Sequence, residues 1–137
     1  MDWKQCNDKR LVKRINIDNN LIQSLLKESE KKYISCNRLL LDDTSASSKV
    51  SLAYDSIREL LEALAIKKGC KIYNHECYCS FLKEIIKNSQ AGAYFDEFRI
   101  IKNGINYYGE ELNEKEAKVI LERIVALREK IKIYLKE

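Results

Sequence analysis

Apolar residues recur at steps of three and four along most of the chain, the spacing that lines one face of an α-helix. Over residues 19–42 the line is Ile22, Leu25, Leu26, Ser29, Tyr33, Cys36 and Leu40, with KESEKK and similar charges between them as a solvated face. Asp18 stands in front of this segment as a plausible N-cap. DDTSASSK, residues 42–49, reads as a turn whose serines can cap a second helix over 47–67. Val50, Ala53, Tyr54, Ile57, Leu60, Leu61 and Leu64 form its stripe, and Asp55, Arg58, Glu59 and Glu62 lie off it. Gly69 follows two lysines that favour the helix dipole, a good stop signal. After a connector over 71–74, Asn74 can cap a third helix over 75–88, with Tyr78, Phe81, Leu82 and Ile85 facing inward. SQAGA, residues 89–93, reads as the next break, and a fourth helix follows to Tyr107–Gly109. Asn113 and Glu116 resemble a capping box at the start of a fifth helix over 114–135.

That fifth helix has two apolar lines. Ala117, Ile120, Leu121, Ile124, Leu127, Ile131 and Leu135 make the wide one; Val119, Ala126 and Ile133 add a second at heptad spacing. Two readings of the second line stand side by side: a surface for another subunit or a central position, or scattered exposed apolar residues.

Length and composition narrow the picture. The chain has 137 residues, no proline and four glycines, which suits a single domain of long helices. Short connections make successive helices antiparallel neighbours, so the predicted fold is an all-α, up-and-down bundle of four to five helices. Residues 1–17 are basic and irregular, and read as loosely attached, with Trp3 a candidate to tuck against the bundle. No stretch approaches the ~20 apolar residues of a membrane span, and the N-terminus carries no apolar signal region, so a cytoplasmic protein is expected. A net charge of +4, from 25 basic and 21 acidic residues, is compatible with nucleic acid without arguing for it. Five cysteines, an odd number, argue against a disulfide framework and read as reduced, buried thiols. Cys70, His75, Cys77 and Cys79 cluster in sequence, but the two-residue step from Cys77 to Cys79 splays them on a helix, so no metal and no cofactor is expected.

The chemistry concentrates in Phe98 to Gly109, FRIIKNGINYYG. On a continuous helix Arg99, Lys102, Asn103 and Asn106 share one side, and Tyr94, Phe98, Ile101 and Ile105 are read on the opposite side. Two cations and two amides together can hold a phosphate. The plain alternative is a solvated charged face, with Tyr107 and Tyr108 in packing. Gly104 costs about 1 kcal/mol relative to Ala inside a helix, tolerable if the backbone breaks there or a partner comes close.

The order of SLAYDSIRELLEALAIKKG, then KIYNHECYCSFL, then FRIIKNGINYYG and a long last helix resembles the HEPN family of small all-α domains, over about Asp18 to Leu135. The resemblance implies a helical bundle that forms two-fold dimers. It implies a metal-independent ribonuclease of the kind found in toxin–antitoxin or defence systems, and a nucleotidyltransferase as partner. The family's site signature is Arg, usually followed by Asn or another polar residue, then His. Here Lys102-Asn103 stands where Arg-Asn is expected, with Arg99 one turn earlier, and Asn106 or Tyr107 occupies the place of His. The single histidine, His75, lies elsewhere and reads as a residue fixing the corner before the third helix.

Metal-free RNA cleavage needs a base for the 2′-hydroxyl proton and positive charge for the phosphate oxygens. Arg99 and Lys102 can supply charge, Asn103 and Asn106 hydrogen bonds, and Asp55 and Glu62 are candidates to orient the cations. Asparagine is no base, and tyrosine, with an unperturbed pKa of about 10, is a poor one. The candidate catalytic set is therefore Arg99, Lys102, Asn106 and Tyr107, and the expectation is an RNA- or phosphate-binding patch with a weakened or lost ribonuclease site. The competing expectation is a helical interaction module without chemistry, partnering a nucleotidyltransferase or another subunit.

Overall fold

Most of the helices start where the sequence offers side-chain acceptors; the helix Ala46–Lys67 does not, its N-cap Ser45 making no side-chain cap bond where the serines were expected to cap. In the computed structural model, which describes residues 1–137, Asp18 accepts from the Leu21 amide and opens α2 (Asn19–Arg38). Asn74 opens α4 (His75–Ser80) by accepting from the Glu76 amide. Asn88 accepts from the Ala91 amide and opens α5 (Ser89–Tyr108). Asn113 and Glu116 form the full reciprocal box that opens α6 (Glu114–Lys136). Each such cap is worth about 1 kcal/mol.

The architecture is an all-α bundle organised around α3 (Ala46–Lys67), whose buried positions run from Ala46 to Ile66. α2 and α6 pack along it, and α5 meets it over a shorter stretch. α6 buries Ala117, Ile124, Leu127 and Ile131, the wide line read from the sequence. No helix is long and apolar enough to cross a membrane.

Four local features differ from the expected pattern. First, residues 1–17 contain a short helix, α1 (Trp3–Asp8), and a strand, β1 (Val12–Arg14). That strand pairs antiparallel with β2 (Cys70–Ile72), setting Val12 opposite Ile72 and Arg14 opposite Cys70. Cys70 and Ile72 point inward and Lys71 outward, a period-two pattern too short to stand out among helices. Cys6 is fully buried, the Trp3 ring lies 5.8 Å from Phe81, and Cys6 is joined to Cys77. The thiols of Cys36, Cys70 and Cys79 are free and buried.

Second, α2 stops at Arg38 rather than 42. Leu39 is extended, and the buried Lys49 ammonium donates to the carbonyls of Cys36 (2.6 Å) and Leu39 (2.8 Å), satisfying the helix end. Third, the break after α4 falls at Lys87, with φ of 64°, and not at SQAGA. α4 runs into a π-helical stretch, Phe81–Ile85, and Ser89 already begins α5. Gly92 serves close approach: a Cβ there would lie 2.8 Å from the Cys79 carbonyl oxygen of α4. Fourth, Arg128 of α6 is 2% exposed. Its guanidinium donates to Ser29 Oγ (2.8 Å), Ser56 Oγ (2.5 Å) and Glu30 (2.6 Å) and lies over the Tyr33 ring, tying α2, α3 and α6 together.

Candidate anion-binding site

α5 is helical without interruption through Tyr108, so the spacing of Arg99, Lys102, Asn103 and Asn106 does hold them along one side. Gly104 does not break it. The chain turns at Gly109, in the left-handed region, and the Glu110 carboxylate folds back against the Gly104 α-carbon. The close partner inferred from this glycine is the chain's own next loop.

The polar stripe is adjacent to the buried line rather than opposite it. Phe95 and Phe98 are in the core, and Lys102 comes two turns after Phe95 on the same line. Lys102 is therefore drawn toward α3, with only 14% of its side chain exposed. Its ammonium donates to both Asp55 oxygens (3.2 and 3.3 Å) and sits 5.9 Å from the centre of the Tyr54 ring. Arg99, 20% exposed, turns one helical turn back, donating through Nε (3.0 Å) and Nη2 (2.8 Å) to one Asp96 oxygen. Asn103 is half-buried; Asn106 and Tyr107 are exposed, Tyr107 at 76%, beyond this cluster toward the C-terminal end of α5.

Arg99 and Asp96 hold each other ionised. Burial opposes the Asp96 charge, but the Arg99 hydrogen bonds and guanidinium outweigh it and hold the carboxyl below its usual range. Burial likewise opposes the Arg99 charge, and Asp96 more than restores it. The Cys79 thiol donates to the same Asp96 oxygen (3.4 Å) and is pushed up to about 12 by burial, then by Asp96, so it stays a thiol. Of the two proposed orienting carboxylates, Asp55 does bind Lys102, whereas Glu62 binds Arg58 of its own helix (3.2 Å).

Three neighbours were not assigned to the site from sequence. Tyr54 carries the Lys102 ammonium near its face and places its hydroxyl 3.1 Å from His75 Nδ1. Arg58, four residues after Tyr54 on the same line of α3, adds a third guanidinium or ammonium near the imidazole. His75 itself, at the first turn of α4, is exposed to solvent while its ring lies against Tyr54 and Tyr78, with centroids 6.1 and 6.2 Å away. Partial burial, and next the Arg58 charge, lower its pKa; Arg99 and Lys102 add to this, and Asp55 opposes it. The imidazole is thus neutral near pH 7. Tyr54 is raised by burial and stays a phenol. The only clue in sequence is the i, i+4 step from Tyr54 to Arg58, because His75 meets α5 through the fold alone.

No family model matches the chain, and no curated protein matches it in sequence.

Proposed function

We propose that this chain is a HEPN-like helical protein that binds RNA phosphates at the α5 face around Arg99 and Lys102, within a toxin–antitoxin or defence system. Its metal-independent ribonuclease site is weakened, because the histidine of the family signature is replaced by Asn106 or Tyr107. The observation that carries the reading is the gathering of Arg99, Lys102 and Arg58 from two helices at one surface, each partly exposed and each held by a carboxylate. The carboxylates fix where these cations sit, and cations held in position are what recognition of a phosphate diester requires. The test is incubation with single-stranded RNA and with tRNA in the presence of a chelator. Salt-dependent binding that an Arg99→Ala/Lys102→Ala variant loses is the expected result. Equal binding by wild type and variant, or no binding by either, refutes the reading.

A second reading, an interaction module working as a homodimer or beside a nucleotidyltransferase, is favoured by one feature. Between α5 and α6 an open groove of about 290 Å³ is lined by the apolar Ala91, Tyr94, Val119, Ala126 and Leu127 together with the charged Glu122, Arg123 and Lys130. Val119 is 49% and Ile133 57% exposed, so the second apolar line of α6 is at the surface. Val119→Glu halving the solution mass, or abolishing capture of a co-expressed neighbour, supports it; an unchanged mass and no co-purifying neighbour refute it.

A further inference from the structure

The base absent from the motif helix has a substitute on α4. We propose that His75 acts as general base at this site, taking the 2′-hydroxyl proton of an RNA whose phosphate rests against Arg99 and Lys102. The inference rests on the RNA-binding reading above and adds the reaction to it.

The geometry has three parts. His75 is an exposed residue and its Nε2 makes no hydrogen bond within the chain, so that nitrogen is left for a substrate. Its Nδ1 is 3.1 Å from the Tyr54 hydroxyl, which fixes the ring. With the Nδ1 proton donated to that oxygen, the Nε2 lone pair is free, and the imidazolium formed later keeps the same bond. Tyr54 also carries Lys102 at 5.9 Å from its ring centre, so base and cation are positioned by one side chain. The groups acting on the imidazole are Tyr54, Asp55 and Arg58 from α3, Arg99 and Lys102 from α5, and Tyr78 from its own helix.

Partial burial, and after it the three nearby cations, disfavour the imidazolium and keep the ring ready to accept a proton. A phosphate diester bound among them adds negative charge and makes the ring more basic. In the reaction Nε2 takes the 2′-hydroxyl proton, the 2′ oxygen forms a bond to phosphorus, and the bond from phosphorus to the 5′ oxygen breaks. The departing 5′ oxygen takes a proton from water, and the imidazolium returns its own to solvent. The products are a 2′,3′-cyclic phosphate and a 5′-hydroxyl, with no redox change and no metal-dependent step.

His75 is the only histidine in the chain, so its ring gives one unambiguous NMR signal. Titrating the full-length protein alone should place its pKa below 6.5. Repeating the titration with a saturating 2′-O-methylated RNA, which has the phosphates but no hydroxyl to deprotonate, should raise that pKa. With unmodified RNA, His75→Gln should lower the cleavage rate by about 10²–10⁴-fold while binding changes less than about twofold. Tyr54→Phe should shift the pH–rate profile and leave binding in place. An unmoved pKa with the methylated RNA bound overturns the proposal even if His75→Gln fails to fold. So does cleavage undiminished in His75→Gln, or binding by wild type with no cleavage; these leave the RNA-binding reading standing. Failure to bind any RNA overturns both.

Discussion

α5 contains two glycines whose replacement by alanine should act in opposite directions. Both lie inside the helix, where alanine is favoured by about 1 kcal/mol. At Gly92 the added methyl would meet the Cys79 carbonyl oxygen at 2.8 Å and the Lys83 side chain at 2.6 Å. The lysine is exposed and can swing away; the carbonyl belongs to the α4 backbone and cannot move without α4. Overpacking of this kind costs about 1–3 kcal/mol, so Gly92→Ala should destabilise by up to about 2 kcal/mol. At Gly104 the methyl meets only the Glu110 carboxylate, the far end of an exposed side chain. Glu110 can turn to solvent, and Gly104→Ala should gain about 1 kcal/mol. For a chain of this length 1 kcal/mol moves Tm by about 4 °C. Thermal and urea unfolding of both variants, with unchanged urea slopes, measure the difference. The site feels it too, since Gly92→Ala pushes α4, with His75, away from α5. If Gly92→Ala stabilises as Gly104→Ala does, the close approach of α4 and α5 is wrong; if Gly104→Ala destabilises, the Glu110 side chain does not give way.

The Arg128 network predicts an asymmetry. Arg128→Met should cost less than about 1 kcal/mol in urea unfolding, because Ser29 still donates to the Ser56 carbonyl and a buried charge is removed. The Ser29→Ala/Ser56→Ala pair strips Nη1 of both acceptors and should cost about 3 kcal/mol; equal costs contradict the account. Asp55→Asn should tighten RNA binding by removing a negative charge beside the phosphate that Lys102 meets, with the salt slope unchanged. Unchanged affinity contradicts this. Asp96, held below its ordinary 3.8, contributes stability that is present above about pH 4 and lost as pH falls through its folded value. Asp96→Asn should therefore flatten the acid limb of the stability curve, and a limb as steep as wild type refutes the Arg99–Asp96 coupling.

What the chain discloses in advance is local. Asp18, Asn74 and Asn113 cap helices because a cap involves residues two or three apart. The wide stripe of α6 is buried as spaced, since helical periodicity needs no knowledge of the partner. What escapes is set by residues distant in sequence. Cys6 and Cys77 are 71 residues apart and meet only when α1 docks. Arg128 reads as a surface charge until Ser29 and Ser56, on two other helices, supply its acceptors. His75 looked isolated from the α5 motif, yet Tyr54 brings it alongside Arg99 and Lys102. The Arg99–Lys102 spacing was legible, but not the line shared by Lys102 and Phe95 that turns the ammonium toward Asp55.

Binding of a single-stranded RNA oligonucleotide across 50–200 mM salt tests the central claim most directly, comparing wild type with Arg99→Ala/Lys102→Ala. If both cations neutralise a phosphate, removing them should weaken binding and reduce the slope of log K against log salt by about 1.4. An identical slope and affinity in the two proteins would mean that these side chains serve only Asp96 and Asp55, and that the α5 face recognises no phosphate.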